Sequence, residues 1–333
     1  MKKCRIRSVS RLHITLIDLN AGWGIIDGGA GLILNEPFFE VEIYENSLLN
    51  TDRIMMPDNN EEILNVSIRC IQRIKNYVEN RSNTHSHYVV NLIKTYSPHI
   101  GLGATTQLCM SLATGIWILE YGEEPDHALI ARIIGRGGTS GVGVHGFALG
   151  GFIIDGGHLK DIEKRDFLPS DYSTSPPPPL LIREEIPETW RFILIRPKII
   201  NKRFFGSKEL EVFRNNTPLN IIDVYEVSYH VFMGLLNGIK RRDIDRFRRH
   251  LRRIQDIGFK SIEWRIQNDE VRRLAEYLDK IGIGFGLSSM GPTVFIPIES
   301  DEEQNMMKLL QSLSNEYFIN IVKGRNRGYE AQC

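Results

Sequence analysis

The segment best suited to chemistry is Pro98-His99-Ile100-Gly101-Leu102-Gly103-Ala104-Thr105-Thr106-Gln107, a glycine-rich turn that runs into the apolar stretch Leu108–Tyr121. Such a junction offers free backbone N–H groups and the positive end of a helix dipole, with two threonine hydroxyls beside them. That combination suits a phosphate. Thr105 or Thr106 would serve equally well as a helix cap that needs no ligand. A second loop, Gly282-Ile283-Gly284-Phe285-Gly286-Leu287-Ser288-Ser289-Met290-Gly291-Pro292-Thr293, is as rich in glycine but feeds a strand.

Other chemical signals are weaker. Gly141-Val142-Gly143-Val144-His145-Gly146 matches G-x-G-x-x-G, yet Gly150 and Gly151 interrupt any following helix, which argues against a dinucleotide site. His145 and His158 have no ligand-spaced partner and are expected to hydrogen-bond rather than bind metal, and His85-Ser86-His87 reads as a surface loop. Lys240-Arg241-Arg242 with Arg246, Arg248, Arg249, Arg252 and Arg253 is basic, but Asp243, Asp245 and Asp256 dilute it. Ile244, Phe247, Leu251 and Ile254 give it the buried stripe of a solvated amphipathic helix.

The elements that must position these loops follow from periodicity. Of the 29 glycines, 21 fall in four patches, at 22–31, 101–103, 135–157 and 282–291, a pattern expected of several loops around one ligand, or of ordinary turns. Between them, Arg5–Leu19 alternates as a strand with Leu12, Ile14 and Leu16 on one face and Arg11, His13 and Thr15 on the other. Phe38–Tyr44, Tyr88–Lys94, Phe152–Asp155 and Arg191–Arg196 read as strands. Glu61–Glu79 has helical spacing in Ile63, Val66, Ile68, Ile71, Ile74 and Val78. Helices are expected at Ile221–Asn237, Asp243–Ile257 and Asp269–Ile281, then strand, helix, strand over Thr293–Ile298, Glu302–Leu313 and Tyr317–Val322. Strands and helices mix without strict βαβ alternation, which gives an α+β fold. Ser173-Thr174-Ser175-Pro176-Pro177-Pro178-Pro179 reads as a stiff extended connector, with domains expected at 1–180 and 181–333.

Composition bounds the function. At 333 residues the chain outgrows one ordinary core. Forty-one Lys and Arg balance 41 Asp and Glu, so no global charge steers it to nucleic acid or an anionic membrane. No apolar run is long enough to span a bilayer, and the basic start MKKCRIRSVS lacks the apolar core of a signal peptide. Cys4, Cys70, Cys109 and Cys333 are scattered, which suggests neither a zinc site nor a disulfide scaffold and fits a reducing, cytoplasmic setting.

Taken together, G-L-G with hydroxyl residues at a helix start and the late S-S-M-G-P-T-V-F loop resemble two signatures of the GHMP kinase superfamily. Ser10-Arg11-Leu12-His13-Ile14-Thr15-Leu16-Ile17-Asp18-Leu19, Asp27-Gly28-Gly29-Ala30-Gly31-Leu32, Arg136-Gly137-Gly138-Thr139-Ser140-Gly141-Val142-Gly143 and Gly150-Gly151-Phe152-Ile153-Ile154-Asp155-Gly156-Gly157-His158 resemble one branch of it. That branch is the archaeal β-ribofuranosylaminobenzene 5'-phosphate synthases of methanopterin biosynthesis. The resemblance spans most of the chain in order and implies a two-domain GHMP kinase-like architecture with a ferredoxin-like carboxy-terminal domain.

It also implies a reaction in which phosphoribosyl pyrophosphate loses pyrophosphate and 4-aminobenzoate or 4-hydroxybenzoate loses carbon dioxide, joining ribose to the ring through carbon. On that basis Gly101, Leu102, Gly103, Ala104, Thr105, Thr106, Ser288, Ser289 and Gly291 are the expected phosphate-binding set, and Arg11, His13, Asp27 and Arg136 the catalytic candidates. Asp18, Asp155 and Thr105 are the expected ligands of a magnesium ion. An arginine would orient the benzoate carboxylate, and Asp18, Asp27 or Asp155 would equally stabilise a turn. Two departures weaken an ATP-dependent kinase, the alternative within the superfamily. The loop reads G-L-G-A-T-T where many of those kinases have G-L-G-S-S-A, and 136–158 holds only Asp155 as a base. A phosphate-binding protein without catalysis is a third reading. The partners expected are the sugar pyrophosphate and the benzoate, with no nucleic acid or membrane, and a homodimer is allowed.

Overall fold

A computed structural model describes residues 2–46, 50–82, 86–199 and 206–333. His85 lies outside the described residues; His87 stands 3.7 Å from the Asp52 carboxylate.

Three sheets organise the chain. The first runs Glu330–Gln332, Lys3–Arg7, Glu40–Glu45, Tyr88–Lys94, Arg53–Met55, and the helices Glu61–Ser82 and Ala104–Tyr121 pack together beside it. Ile63, Val66, Ile71, Ile74 and Val78 are buried as their spacing requires, whereas Ile68 is 47% exposed, so the stripe is narrower than expected. The second sheet runs Ser10–Asp18, Ile25–Leu34, Phe152–Asp155, Leu180–Glu184. The expected single strand Arg5–Leu19 is thus two, one in each sheet. They break at Ser8-Val9, where the Ser8 N–H donates to the Phe39 carbonyl.

The third sheet runs Gly286–Leu287, Val294–Glu299, Trp190–Pro197, Tyr317–Lys323, with every neighbouring pair antiparallel. In chain order this is 2-3-1-4, the ferredoxin-like arrangement. Asp243 caps the basic helix, which spans Ile244–Ile254 and buries the four apolar residues expected of it. The expected helix Ile221–Asn237 is α-helical over Ile221–Tyr229, π-helical over His230–Leu236, and α-helical again over Asn237–Arg241.

Several expectations change. Leu180–Glu184 pairs with Phe152–Asp155, so the second sheet extends past the boundary expected at 180, and Glu330–Gln332 returns to the first sheet. The glycine-rich 25–34 segment is a strand, and helices form at His127–Ile134, Val142–Leu149 and Gly258–Arg265 where periodicity had indicated none. Gly141 starts the Val142–Leu149 helix and Gly150 ends it, so the dinucleotide-like motif is a short buried helix. The scattered cysteines meet as two disulfides, Cys4–Cys333 and Cys70–Cys109, because the last strand lies beside the first and the two long helices pack together. Among the described residues no helix is long and apolar enough to cross a membrane.

Candidate active site

The strand Ser10–Asp18 supplies the floor of a cleft. Strict alternation separates Leu16 from Arg11 and His13, but a bulge between His13 and Thr15 shifts the phase by one, and all three line the cleft. Opposite them the Ala104–Tyr121 helix begins. Gly103 occupies its cap position at φ 75°, no side chain caps it, and the first turn therefore presents its N–H groups to the cleft. Thr105 and Thr106 lie inside the helix and do not cap it. A Cβ at Gly103 would sit 2.9 Å from Arg11 Cγ, so only glycine lets the helix start and the arginine approach this closely.

The late loop closes the same end. Ser288 Oγ donates to the Gly101 carbonyl at 2.6 Å and accepts the His13 N–H at 3.1 Å, while Thr293 Oγ1 donates to the Ile100 carbonyl at 2.5 Å. Arg11 Nη1 adds a bond to Gly101 O at 2.9 Å. The carbonyls of the glycine turn are thus held from behind, leaving its N–H groups for a ligand.

The cleft has two parts. The outer one is lined by Gly101, Gly103, Ala104, Thr105, Ser289, Gly291 and Asp171. The inner one holds His13, Leu16, Ser140, Pro169, Phe213 and Glu263. Arg11, Thr106, Arg136, Glu209, Ser289 and Met290 border both. Arg136 donates through Nε to Thr106 Oγ1 at 3.1 Å and pairs with Asp171.

The charges are mutually dependent. Burial, with Arg136 adding repulsion, pushes the Arg11 guanidinium down to about 10, which keeps it cationic at neutral pH. Burial, with Arg11 and Lys260 nearby, holds the His13 imidazole well below its usual value, so it is neutral. Burial pushes the Glu209 carboxyl up to about 7, and Asp171 and Glu263 add to the rise. Burial likewise raises Glu263, against the pull of its partner Lys260.

Several sequence candidates lie elsewhere. Asp27 is fully buried, its Oδ2 accepting from Lys164 Nζ at 2.7 Å and facing His158 Nδ1 at 2.9 Å. It cannot touch a substrate, but Lys164 also donates to the Gly138 carbonyl at 2.9 Å, so the pair supports the loop that follows Arg136. Asp155, 1% exposed, accepts from the N–H groups of Gly29, Gly141 and Gly157 and from Ser140 Oγ. With both oxygens committed it is no metal ligand. Asp18 accepts the N–H groups of Asn20 and Ala21 in a turn and does not border the cleft. Leu102 and Ser288 are buried struts: Leu102 O accepts the Arg11 N–H at 3.2 Å. His145 and His158 hydrogen-bond the carbonyls of Pro178 and Pro176, pinning the proline connector.

Sequence reasoning missed Glu209, Asp171, Lys260 and Glu263. Lys260 and Glu263 sit one turn apart on Gly258–Arg265, and that spacing within an apolar stretch was the one available signal. No motif marks Glu209 or Asp171. Among the described residues no three histidine, cysteine or acidic side chains converge as a metal cluster.

The profile of the GHMP kinases C-terminal family matches residues 235–311. Two solved structures share the fold: homoserine kinase from Cytophaga hutchinsonii (TM-score 0.69, 14% identity, 100% of this chain and 98% of that one) and mevalonate diphosphate decarboxylase from Staphylococcus aureus (TM-score 0.69, 13% identity, the same coverage). In sequence, the chain is 35% identical to the β-ribofuranosylphenol 5'-phosphate synthase of Archaeoglobus fulgidus over 98% of its length and 99% of the relative's. The enzyme of the same name from Methanothermobacter thermautotrophicus is also 35% identical, over 97% of each chain. Near-complete coverage at this identity, together with the shared fold, shows that the chain belongs to the β-ribofuranosylphenol 5'-phosphate synthase family.

Proposed function

We propose that the chain transfers the ribose 5-phosphate unit of phosphoribosyl pyrophosphate to a 4-substituted benzoate, releasing pyrophosphate and carbon dioxide. The observation that carries this reading is the cleft's division into a part lined by the helix start and a more enclosed part that includes Leu16, Phe213 and Met290, with Arg11 and Arg136 between them. The outer N–H groups suit the donor's phosphates. The apolar walls suit a ring, and the two arginines face where its carboxylate would meet the anomeric carbon. The relatives' name specifies a ribofuranosylphenol product, which favours 4-hydroxybenzoate as acceptor. Orientation and leaving-group stabilisation are then the protein's main contribution.

Of the magnesium ligands expected from sequence, Asp155 is committed and Asp18 lies off the cleft, so neither fits, whereas Thr105 lines the outer part. Glu209 and Asp171 do fit: they border the outer part, and the raised Glu209 carboxyl is one whose ionised form a cation would stabilise. They would hold the ion against the donor's phosphates, where it supplies neutralisation of the departing pyrophosphate. Purified protein given magnesium, phosphoribosyl pyrophosphate and carboxyl-labelled 4-hydroxybenzoate or 4-aminobenzoate is expected to release label and pyrophosphate in equal amounts. No label from either acid, with ADP formed from ATP and a small alcohol, would move the chain to the kinases.

A further inference from the structure

Glu263, which lines the inner part of the cleft, belongs to a buried ion pair that binding of phosphates does not use. Glu263 is 5% exposed and Lys260 is 1% exposed. The two pair on the Gly258–Arg265 helix, and Lys260 Nζ also donates to the carbonyls of Leu287 and Ser289 at 3.2 and 3.3 Å. Glu263 borders the inner part of the cleft and not the outer one. A charge pair removed from water carries a desolvation penalty that its own attraction must repay, and the anchoring of Ser289 by Lys260 does not explain why a glutamate lines the cavity.

The orientation of the acceptor supplies a reason, and here the inference rests on the function proposed above. With the ring's carboxylate at Arg11 and Arg136, which border both parts, the rest of the ring and its para substituent lie in the inner part with Leu16 and Phe213. The polar side chains that line the inner part and not the outer one are Thr139, Ser140, His13 and Glu263. Thr139 Oγ1 donates to Leu168 O at 2.6 Å and Ser140 Oγ to Asp155 at 2.9 Å, so both hydroxyl protons are committed. We propose that Glu263 binds the acceptor's para substituent and takes the proton of a para hydroxyl, with Lys260 paired to its carboxylate from behind.

The step balances. The phenol O–H bond breaks, its proton goes to the Glu263 carboxylate, and its electron pair feeds the ring. The carboxylate-bearing carbon bonds to the anomeric carbon as the C–O bond to pyrophosphate breaks with its electron pair. The bond to the carboxylate then breaks, carbon dioxide leaves, its electrons restore the aromatic ring, and Glu263 returns the proton to the phenolate oxygen. Burial raises Glu263 above the usual carboxylate range, which brings it closer to a phenol and makes it a better base than an exposed glutamate. A para amine donates its lone pair without losing a proton, so 4-aminobenzoate needs no such base.

The test is ultraviolet difference spectroscopy of the intact enzyme with 4-hydroxybenzoate and inorganic pyrophosphate, backed by turnover with both acids. Bound 4-hydroxybenzoate is expected to show the red-shifted phenolate band well below the pH at which the free acid shows it. Glu263→Gln should abolish the band and lower kcat with 4-hydroxybenzoate at least about 100-fold, while kcat with 4-aminobenzoate changes less than about tenfold. Unchanged pyrophosphate binding by calorimetry establishes that the variant is folded. If it is not folded, the wild-type spectrum decides alone. Label release accompanied by a neutral-phenol spectrum overturns the inference and leaves the function standing, as does an equal loss for both acids or a band removed by His13→Gln and not by Glu263→Gln. No label release from either acid overturns the function and the inference together.

Discussion

Two glycine-rich regions that look alike in sequence do opposite work. Around Gly101–Gly103, tight turns have their carbonyls held from behind by Ser288, Thr293 and Arg11, and the N–H groups of the helix start face an open cleft. Around Gly28–Gly31, the N–H groups point inward, and Asp155 accepts those of Gly29, Gly141 and Gly157. Glycine is needed there because layers approach closely: a Cβ on Gly29 would lie 2.3 Å from Ser140 Oγ, and one on Gly31 the same distance from Leu12 O. Glycine density therefore marks close approach. Whether a ligand or the protein itself does the approaching depends on where the acceptors for those N–H groups come from.

Asp155→Ala should give the largest effect and separates the regions most sharply. It strips the acceptor from three backbone N–H groups and one hydroxyl, and each buried group left unpaired costs about 1–3 kcal/mol. Urea denaturation is expected to show a loss of at least about 4 kcal/mol. A variant of normal stability that had lost only donor binding would move Asp155 into the site and erase the contrast. Gly103→Val should do the reverse. Its positive φ and the clash with Arg11 impose strain of about 1–3 kcal/mol, but the main outcome is donor affinity reduced about 100-fold by calorimetry. Unaltered affinity would remove this loop from the site.

The same contrast explains what was legible in the chain. Long amphipathic elements were, because periodicity survives any environment: the basic helix buried Ile244, Phe247, Leu251 and Ile254 as its spacing required. The turn that opens the Ala104–Tyr121 helix was legible because glycine, hydroxyl and helix start are adjacent in sequence. Asp27 and Asp155 were misassigned because an aspartate beside glycines looks the same whether it faces a ligand or the protein's own N–H groups. The bulge after His13, the strand at 25–34 and the acidic partners Glu209 and Glu263 were hidden for a common reason. Each depends on contacts between segments far apart in the chain, such as Leu12 against Leu32 or Lys260 against the Leu287 carbonyl. The cysteine pairing belongs with these, since Cys4 and Cys333 meet only once the last strand lies beside the first.

His13 gives the smallest expected effect and tests both regions at once, because its strand is clamped between them. On one edge it pairs opposite Gly31; on the other its carbonyl accepts the Ser289 N–H at 2.9 Å. Burial from both sides, with Arg11 and Lys260 nearby, holds the imidazole well below 6.5. The unfolded chain takes up a proton as pH falls through that value while the native state does not. Below 6.5 the unfolded state therefore binds more protons, and stability falls on acidification by up to about 1.4 kcal/mol per pH unit for this one group. Above 6.5 neither state binds the proton and the contribution is flat. Urea denaturation from pH 5 to 7.5 is expected to show a shallower acid decline for His13→Gln than for the unaltered protein, the other histidines cancelling in the difference. Parallel curves would mean that His13 is protonated in the native state, which requires that the late loop does not close over it and that the inner cleft is open to water.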